Sequence, residues 1–139
     1  MLKTIPDIIS PELLKILDEM GHGDEIVIGD ANFPAVTCAK RLIRADGIGG
    51  EDILEAIMKL FPLDKVAKDN CFLMAVNEGE PTPPIWERYA NIIDRYEDCR
   101  KTAEVERYAF YEQAKQAFAV IQMGEKALYA NIILKKGTL

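Results

Sequence analysis

Strand-length apolar runs alternate with segments of helical periodicity along this chain. The runs Glu25–Asp30 and Cys71–Val76 have the length and composition of buried strands. Apolar residues recur at helical spacing after Ser10, which precedes Pro11 and so is typical of a helix start, and they do so again over 51–60. Because helices and buried strands alternate, the sequence predicts a layered α/β fold.

Further elements follow from apolar runs and turn residues. The segments predicted are a strand over 41–44, a Gly- and Pro-rich loop over 77–84, helices over 85–101 and 107–116, and strands over 118–121 and 129–134. The last two strands flank the turn Gly124-Glu125, so we expect them to form a hairpin or to lie close together in one sheet.

Length and composition limit both the number of domains and the kind of partner. The 139 residues, 49% of them hydrophobic, suffice for one core, so we expect 1–139 to be a single domain. No apolar run approaches the roughly 20 residues of a membrane span. The segment Met1–Asp7 reaches a proline and an aspartate too early for a signal peptide, so we expect a soluble, cytoplasmic protein. A net charge of −6 opposes nucleic-acid binding.

The reactive side chains exclude several enzyme classes. Cys38, Cys71 and Cys99 lie far apart without Cys-x-x-Cys spacing, so we expect free thiols rather than a zinc or redox site. One histidine is too few for a His-rich metal centre. The sole serine is assigned to a helix cap, which opposes a serine hydrolase. We therefore expect no metal centre.

His22 is the first candidate for chemistry, since an imidazole can transfer protons near neutral pH. It stands between Gly21 and Gly23 in the turn predicted between the first helix and the first strand, where a ligand can approach closely. Asp24 or Glu25 beside it can stabilise the imidazolium. On composition alone, an exposed turn histidine without a catalytic role is the more frequent alternative.

Two other clusters offer groups that bind a polyol. Arg107 places a guanidinium beside the aromatic residues Tyr108, Phe110 and Tyr111, although Phe110 and Tyr111 at helical spacing also suit a core. Tyr129 and Asn131 are two residues apart in a predicted strand, so we expect both side chains on one face of the sheet.

Segments from across the chain resemble those of the fucose mutarotase / ribose pyranase family. They are Gly-His-Gly-Asp-Glu at 21–25, Asp-Ala-Asn-Phe-Pro at 30–34, Ile-Arg-Ala-Asp-Gly at 43–47 and Tyr-Ala-Asn-Ile-Ile-Leu at 129–134. The stretch 107–112 resembles the fucose branch, whereas the ribose branch tends to carry histidine at position 107. The resemblance implies a three-layer α/β/α sandwich with a central mixed sheet. It also implies an isomerase that interconverts the anomers of L-fucose without a cofactor.

The resemblance assigns roles to individual residues as well. It implies that His22 is the acid/base. The sugar-binding residues that it implies are Asp30, Arg107, Tyr129, Ala130 and Asn131. Two departures are visible, because Ala130 stands where many fucose-type members have glycine, and Asn32 stands where some have histidine.

His22 and Asp30 flank a predicted strand, which separates them by more than about 15 Å if it is extended. A monosaccharide cannot bridge that distance, so either the glycine turn folds back or a neighbouring subunit completes the site. The resemblance implies a ring-shaped homo-oligomer, with decamers among the members, which suits the second arrangement. Two alternatives to a fucose mutarotase stay open: a ribose-type pyranase, for which position 107 is the discriminating residue, and a non-catalytic monosaccharide-binding protein.

Overall fold

The computed structural model describes residues 1–139 and contains five helices and six strands. In chain order these are α1 (Pro11–Glu19), β1 (Glu25–Gly29), α2 (Ala35–Cys38), β2 (Leu42–Ala45), α3 (Gly50–Met58), β3 (Cys71–Met74), α4 (Pro84–Tyr96), β4 (Thr102–Val105), α5 (Arg107–Gln116), β5 (Ala119–Met123) and β6 (Ile132–Lys135). The predicted start of α1 is confirmed, since the Ser10 hydroxyl accepts a 3.1 Å hydrogen bond from the Leu13 amide. None of the helices combines the length and the apolar character needed to cross a membrane.

The strands form one mixed sheet in the order β2-β5-β1-β6-β3-β4. Pairing is parallel between β2 and β5, β5 and β1, and β3 and β4. Only β6 runs antiparallel to its neighbours, β1 and β3. The carboxyl ends of five strands and the amino end of β6 therefore meet at one edge of the sheet, where ligands of α/β proteins commonly bind.

Alternate residues of the central strands enter two separate cores. Ile26 and Ile28 of β1 pack in the larger core, with α1, α3 and α4. Val27, between them, packs in the smaller core with α2 and α5. Successive side chains of a strand point to opposite faces, so helices cover both faces of the sheet. This confirms the three-layer α/β/α sandwich with a central mixed sheet.

Of the two arrangements predicted for the last two strands, the hairpin is wrong, whereas their position close together in one sheet is confirmed. Both strands belong to the same sheet, but β1 lies between them and pairs with each. The residues of the Gly124-Glu125 turn have another use: the Glu125 carboxylate accepts hydrogen bonds from the amides of Gly50 and Ala127, and the Glu125 carbonyl accepts one from Ala31. These contacts lead the chain over the end of β1 instead of closing a tight turn.

The predicted helix over 85–101 is too long, because α4 ends at Tyr96 and β4 begins at Thr102. β4 is an edge strand whose residues alternate between exposed and half-buried, so it lacks the apolar run that marks a buried strand. α2 was also not predicted, since its four residues are too few to show helical periodicity.

Candidate active site

An open cavity of about 260 Å³ lies at the edge of the sheet where the parallel strands end. It is close to the lower size limit of small-molecule sites. Its lining is formed by Asp30, Asn32, Phe33, Met74, Asn77, Glu80, Arg107, Tyr111, Leu128, Tyr129 and Asn131. Four of the residues expected to bind sugar, Asp30, Arg107, Tyr129 and Asn131, are thus brought together from three separate parts of the chain.

Asp30 follows the last residue of β1 and is only 7% exposed. Its carboxylate accepts a 2.9 Å hydrogen bond from the Asn32 amide, and its carbonyl accepts one of 2.5 Å from the Gln122 side chain. Burial raises the pKa of the Asp30 carboxyl above its ordinary value, and the Asn32 amide opposes part of that rise. The Asn131 side chain and the Phe33 amide also lower the pKa of this carboxyl, so polar groups of the protein surround it on the cavity side.

Asn131 is buried beside Asp30 and is oriented by it. The Asp30 amide donates a 2.8 Å hydrogen bond to Oδ1 of Asn131, and Nδ2 of Asn131 lies 4.0 Å from the Met74 sulfur. Because the amide oxygen is engaged and a thioether is a weak acceptor, the Asn131 NH₂ group keeps a proton to donate to a ligand.

Tyr129 and Asn131 do not lie in a strand, so the expectation that strand alternation brings them together is wrong. β6 begins at Ile132, and Tyr129 has a left-handed backbone with φ of 58°. Both side chains nevertheless line the cavity, because the left-handed turn redirects the chain just before the strand.

Ala130 lies beneath this turn and is fully buried. Its carbonyl accepts a 3.0 Å hydrogen bond from the Tyr89 hydroxyl, and the preceding carbonyl, of Tyr129, accepts one of 2.9 Å from the Trp86 indole. Ala130 is absent from the cavity lining, so it shapes the site through its backbone. The two aromatic residues, which stand one turn apart on α4, were not singled out from the sequence.

Arg107 is the first residue of α5, whose N-cap Glu106 accepts hydrogen bonds from the amides of Tyr108 and Ala109. The Arg107 Nε donates a 3.1 Å hydrogen bond to the Tyr111 hydroxyl. The guanidinium carbon lies 5.4 Å and 5.7 Å from the ring centres of Tyr108 and Tyr111. The site therefore combines donors for hydroxyl groups with flat faces for C–H patches, the pairing that a sugar requires.

Asn77 and Glu80 complete the cavity from the loop between β3 and α4. The Asn77 amide donates a 3.4 Å hydrogen bond to the Tyr129 hydroxyl, and the Asn77 side chain donates one of 3.3 Å to Glu80. The Glu80 carboxylate raises the pKa of the Tyr129 phenol. The sequence marked this segment only as a Gly- and Pro-rich loop, and no spacing within it signals a ligand.

His22 lies at the opposite edge of the sheet from this cavity. It stands in the predicted turn before β1, whereas Asp30 follows the end of β1, and five extended residues separate two points by about 15 Å or more. The imidazole is 48% exposed and its Nε2 is 3.1 Å from Oδ1 of Asp64. Asp24, expected as its partner, instead accepts a hydrogen bond from Gly21.

Glu25, the other acidic neighbour considered for His22, is also engaged elsewhere. Its carboxylate lies 3.5 Å from the Lys135 ammonium and accepts a 3.1 Å hydrogen bond from Gln113. Within one chain, the structure thus separates His22 from the four cavity residues and pairs it with an acid distant in sequence.

The fold is a small α/β sandwich whose cavity combines hydrogen-bond donors, acceptors and aromatic faces. The chain matches the RbsD / FucU transport protein family over residues 3–139, and it belongs to that family. This confirms the resemblance drawn from the short segments.

Solved structures agree with this assignment over nearly the whole chain. The fucose mutarotase of Streptococcus pneumoniae, in complex with L-fucose, is 47% identical with a TM-score of 0.95, covering 99% of both chains. FucU of Bifidobacterium longum is 48% identical with a TM-score of 0.94, again over 99% of both chains. RbsD of Bacillus subtilis, complexed with D-ribose, is more distant at 25% identity and a TM-score of 0.73, covering 100% of this chain and 99% of its own.

Proposed function

We propose that this protein interconverts the α and β anomers of L-fucose, with residues 1–139 acting as one sugar mutarotase domain. The observation that carries the proposal is the cavity itself, in which Asp30, Arg107, Tyr129 and Asn131 present acceptors and donors beside aromatic faces. The 47% identical Streptococcus pneumoniae protein, whose structure contains L-fucose, supports the choice of sugar.

Mutarotation needs only proton transfers and a bond rotation. In the proposed mechanism the His22 imidazolium gives a proton to the ring oxygen while the anomeric hydroxyl releases its proton to water, and the bond between the ring oxygen and the anomeric carbon breaks. Rotation of the aldehyde group and reversal of both transfers close the ring as the other anomer. No electron is transferred and the atoms balance, so this chemistry requires no cofactor.

The cavity residues hold the sugar during these steps. Asp30 accepts hydrogen bonds from sugar hydroxyls through its carboxylate, and Asn131 donates one through its NH₂ group. Arg107 donates from the exposed rim, and Tyr129 supplies both a hydroxyl and a ring face. Ala130 fixes the backbone between the last two residues through its bond to Tyr89.

A complete site requires two subunits in this proposal. His22 and the cavity lie at opposite ends of β1, and a monosaccharide is far shorter than that strand. Tyr108 and Leu128, near the rim, are 66% and 73% exposed, and in this proposal the neighbouring subunit covers them. We therefore propose a ring-shaped homo-oligomer, as the resemblance implies, with a decamer as its expected form.

The proposed compartment is the cytoplasm. Cys38, Cys71 and Cys99 are all free thiols in the structure. Unpaired cysteines in a small protein suit a reducing environment, and a monosaccharide isomerase would meet its substrate there.

Exchange NMR tests the activity directly. We expect the protein to accelerate exchange between the anomer signals of L-fucose, and we expect His22→Ala to abolish the acceleration. Lys126→Ala, an exposed substitution outside the cavity lining, is the control and is expected to retain the wild-type rate. Saturable fucose binding without faster exchange would replace this proposal with the non-catalytic sugar-binding alternative.

Mixing two variants tests the shared site. His22→Ala and Asp30→Asn each damage one half of every site. If each site takes its histidine from one subunit and its aspartate from another, about a quarter of the sites in a randomly reassembled mixture regain both. A mixture that stays as inactive as its components would show that both residues serve the same subunit.

A ribose-type pyranase is the second candidate. The D-ribose complex of Bacillus subtilis RbsD favours it, since that protein shares the fold. Arg107 argues for the fucose branch, so we expect exchange of L-fucose to be accelerated more than that of D-ribose. A stronger effect on the furanose and pyranose signals of D-ribose would reverse this order.

A further inference from the structure

We infer that Asp64 is the positioning residue for His22, and that it leaves Nδ1 of the imidazole as the atom that exchanges a proton with the sugar. The inference rests on the proposed role of His22. Oδ1 of Asp64 lies 3.1 Å from Nε2 of His22, across 42 residues of sequence. Nothing in the local sequence around His22 points to this partner.

The Asp64 carboxylate is held rigidly from its own side. The residue is 4% exposed, and the oxygen that faces His22 also accepts hydrogen bonds from the amides of Val66 at 2.9 Å and Ala67 at 3.4 Å. The Asp64 amide donates to the Lys135 carbonyl, and the Asp64 carbonyl accepts from the Asn70 side chain. The imidazole, by contrast, is half exposed, so the fixed acid orients the histidine and not the reverse.

Asp64 is ionised at neutral pH and can therefore only accept at this contact. The Val66 amide is the main group that lowers the pKa of the Asp64 carboxyl, and His22 adds to the effect. Because the carboxylate accepts, Nε2 of His22 carries a hydrogen in both the neutral and the charged ring. Nδ1 then gains and loses the mobile proton.

No other acid competes for the ring. Asp24 is bonded to the Gly21 amide, which closes the turn, and Glu25 is paired with Lys135 and Gln113. With Nε2 engaged by Asp64, Nδ1 is left without a protein partner. The structure thus assigns one ring nitrogen to the protein and the other to the substrate.

Imidazole NMR of the intact oligomer tests the assignment, because His22 is the only histidine and gives the only such signals. We expect a hydrogen on Nε2 that exchanges with water slowly enough to be observed, since it is held by a buried carboxylate. In Asp64→Asn the oxygen acceptor remains but the charge is lost. We expect this variant to shift or broaden the signal and to lower kcat for L-fucose exchange by about tenfold or more, with KM within about twofold.

Asp69→Asn is the matched control. It removes the same charge from the same loop, and Asp69 forms no hydrogen bond or ion pair in the structure, so kcat and the imidazole signals should not change. A wild-type ring protonated on Nδ1 alone, or an Asp64→Asn variant with wild-type kcat, would overturn the inference. If His22→Ala stays active, the proposed function of His22 fails instead. The Nε2 signal of the wild-type protein still reports separately on the contact between His22 and Asp64.

Discussion

The hydroxyl of Tyr89 donates a 3.0 Å hydrogen bond to the carbonyl of Ala130, joining the middle of α4 to the turn that carries two cavity residues. Trp86, one helical turn earlier, bonds the Tyr129 carbonyl in the same way. The two contacts hold the backbone of Tyr129 in a left-handed conformation, which residues other than glycine rarely adopt. Helix α4 therefore supports the site without lining it at these positions.

Removing the Tyr89 hydroxyl should loosen this turn. Tyr89→Phe leaves the buried Ala130 carbonyl without its donor, and we expect a loss of about 1 to 3 kcal/mol in the free energy of unfolding. We also expect a higher KM for L-fucose, because the side chains of Tyr129 and Asn131 lose their fixed position. Denaturant unfolding and exchange NMR measure the two effects. Tyr96→Phe, on the same helix but bonded to Glu55 away from the cavity, should change stability without changing KM.

A methyl group at position 50 should have a similar effect by another route. A Cβ on Gly50 would overlap the Tyr89 hydroxyl, so Gly50→Ala has to displace that ring and break its bond to Ala130. We expect a loss of about 1 to 3 kcal/mol, the usual cost of overpacking, together with a higher KM. At Gly49 the added Cβ would make only an ordinary 3.6 Å contact with Glu125, so Gly49→Ala is the control.

The two positions should also be energetically coupled, since both substitutions remove the same contact. The double variant Gly50→Ala, Tyr89→Phe is expected to lose less stability than the sum of the single variants. Additive losses would mean that Gly50 acts independently of Tyr89.

The charge on the buried Asp30 carboxylate should destabilise the folded protein at neutral pH. Burial raises the pKa of the Asp30 carboxyl in the folded protein above its ordinary value of 3.8. The stability that Asp30 contributes is therefore fully present at a pH below 3.8, and it is lost as the pH rises through the raised pKa. Asp30→Asn keeps the oxygen that accepts from Asn32 and removes the charge. We expect it to be more stable than the wild type at neutral pH, to lose this advantage in acid, and to exchange fucose more slowly.

Glu125→Gln should change stability in the opposite direction to Asp30→Asn. Hydrogen bonds from the amides of Ala127 and Gly50 lower the pKa of the Glu125 carboxyl below its ordinary value of 4.5. The stability that Glu125 contributes is therefore present at a pH above 4.5, and it is lost as the pH falls through the lowered pKa. This variant should be less stable than the wild type at neutral pH. Thermal unfolding at neutral and acid pH measures both variants, and equal shifts of the same sign would contradict the assignment.

The sequence predicted what depends on local pattern. The start of α1 at Ser10 and the buried strand at β1 follow from capping and apolar runs, and both are confirmed. The order of strands depends on pairing between distant segments, so the insertion of β1 between β5 and β6 could not be inferred from the Gly124-Glu125 turn.

The residues of the site were likewise only partly predictable from local sequence. The sequence indicates four cavity residues because they belong to short segments that resemble a family. Strand alternation does not explain why Tyr129 and Asn131 line the cavity together, since both precede the strand. Tyr89 was missed because a tyrosine at helical spacing is indistinguishable from core, and Asp64 because its contact with His22 exists only once the chain has folded.

Arg107 should determine sugar preference more than stability. Its side chain is exposed and its one hydrogen bond within the protein goes to the Tyr111 hydroxyl, so Arg107→His should leave the unfolding midpoint nearly unchanged. An imidazole is shorter and offers fewer donors, so acceleration of L-fucose exchange should fall by more than that of D-ribose. Exchange NMR on both sugars measures the ratio. Arg44→His, on the edge strand β2, should leave the ratio of the two exchange rates as it is in the wild type. A parallel loss on both sugars would mean that Arg107 supports the site in general and does not select the substrate.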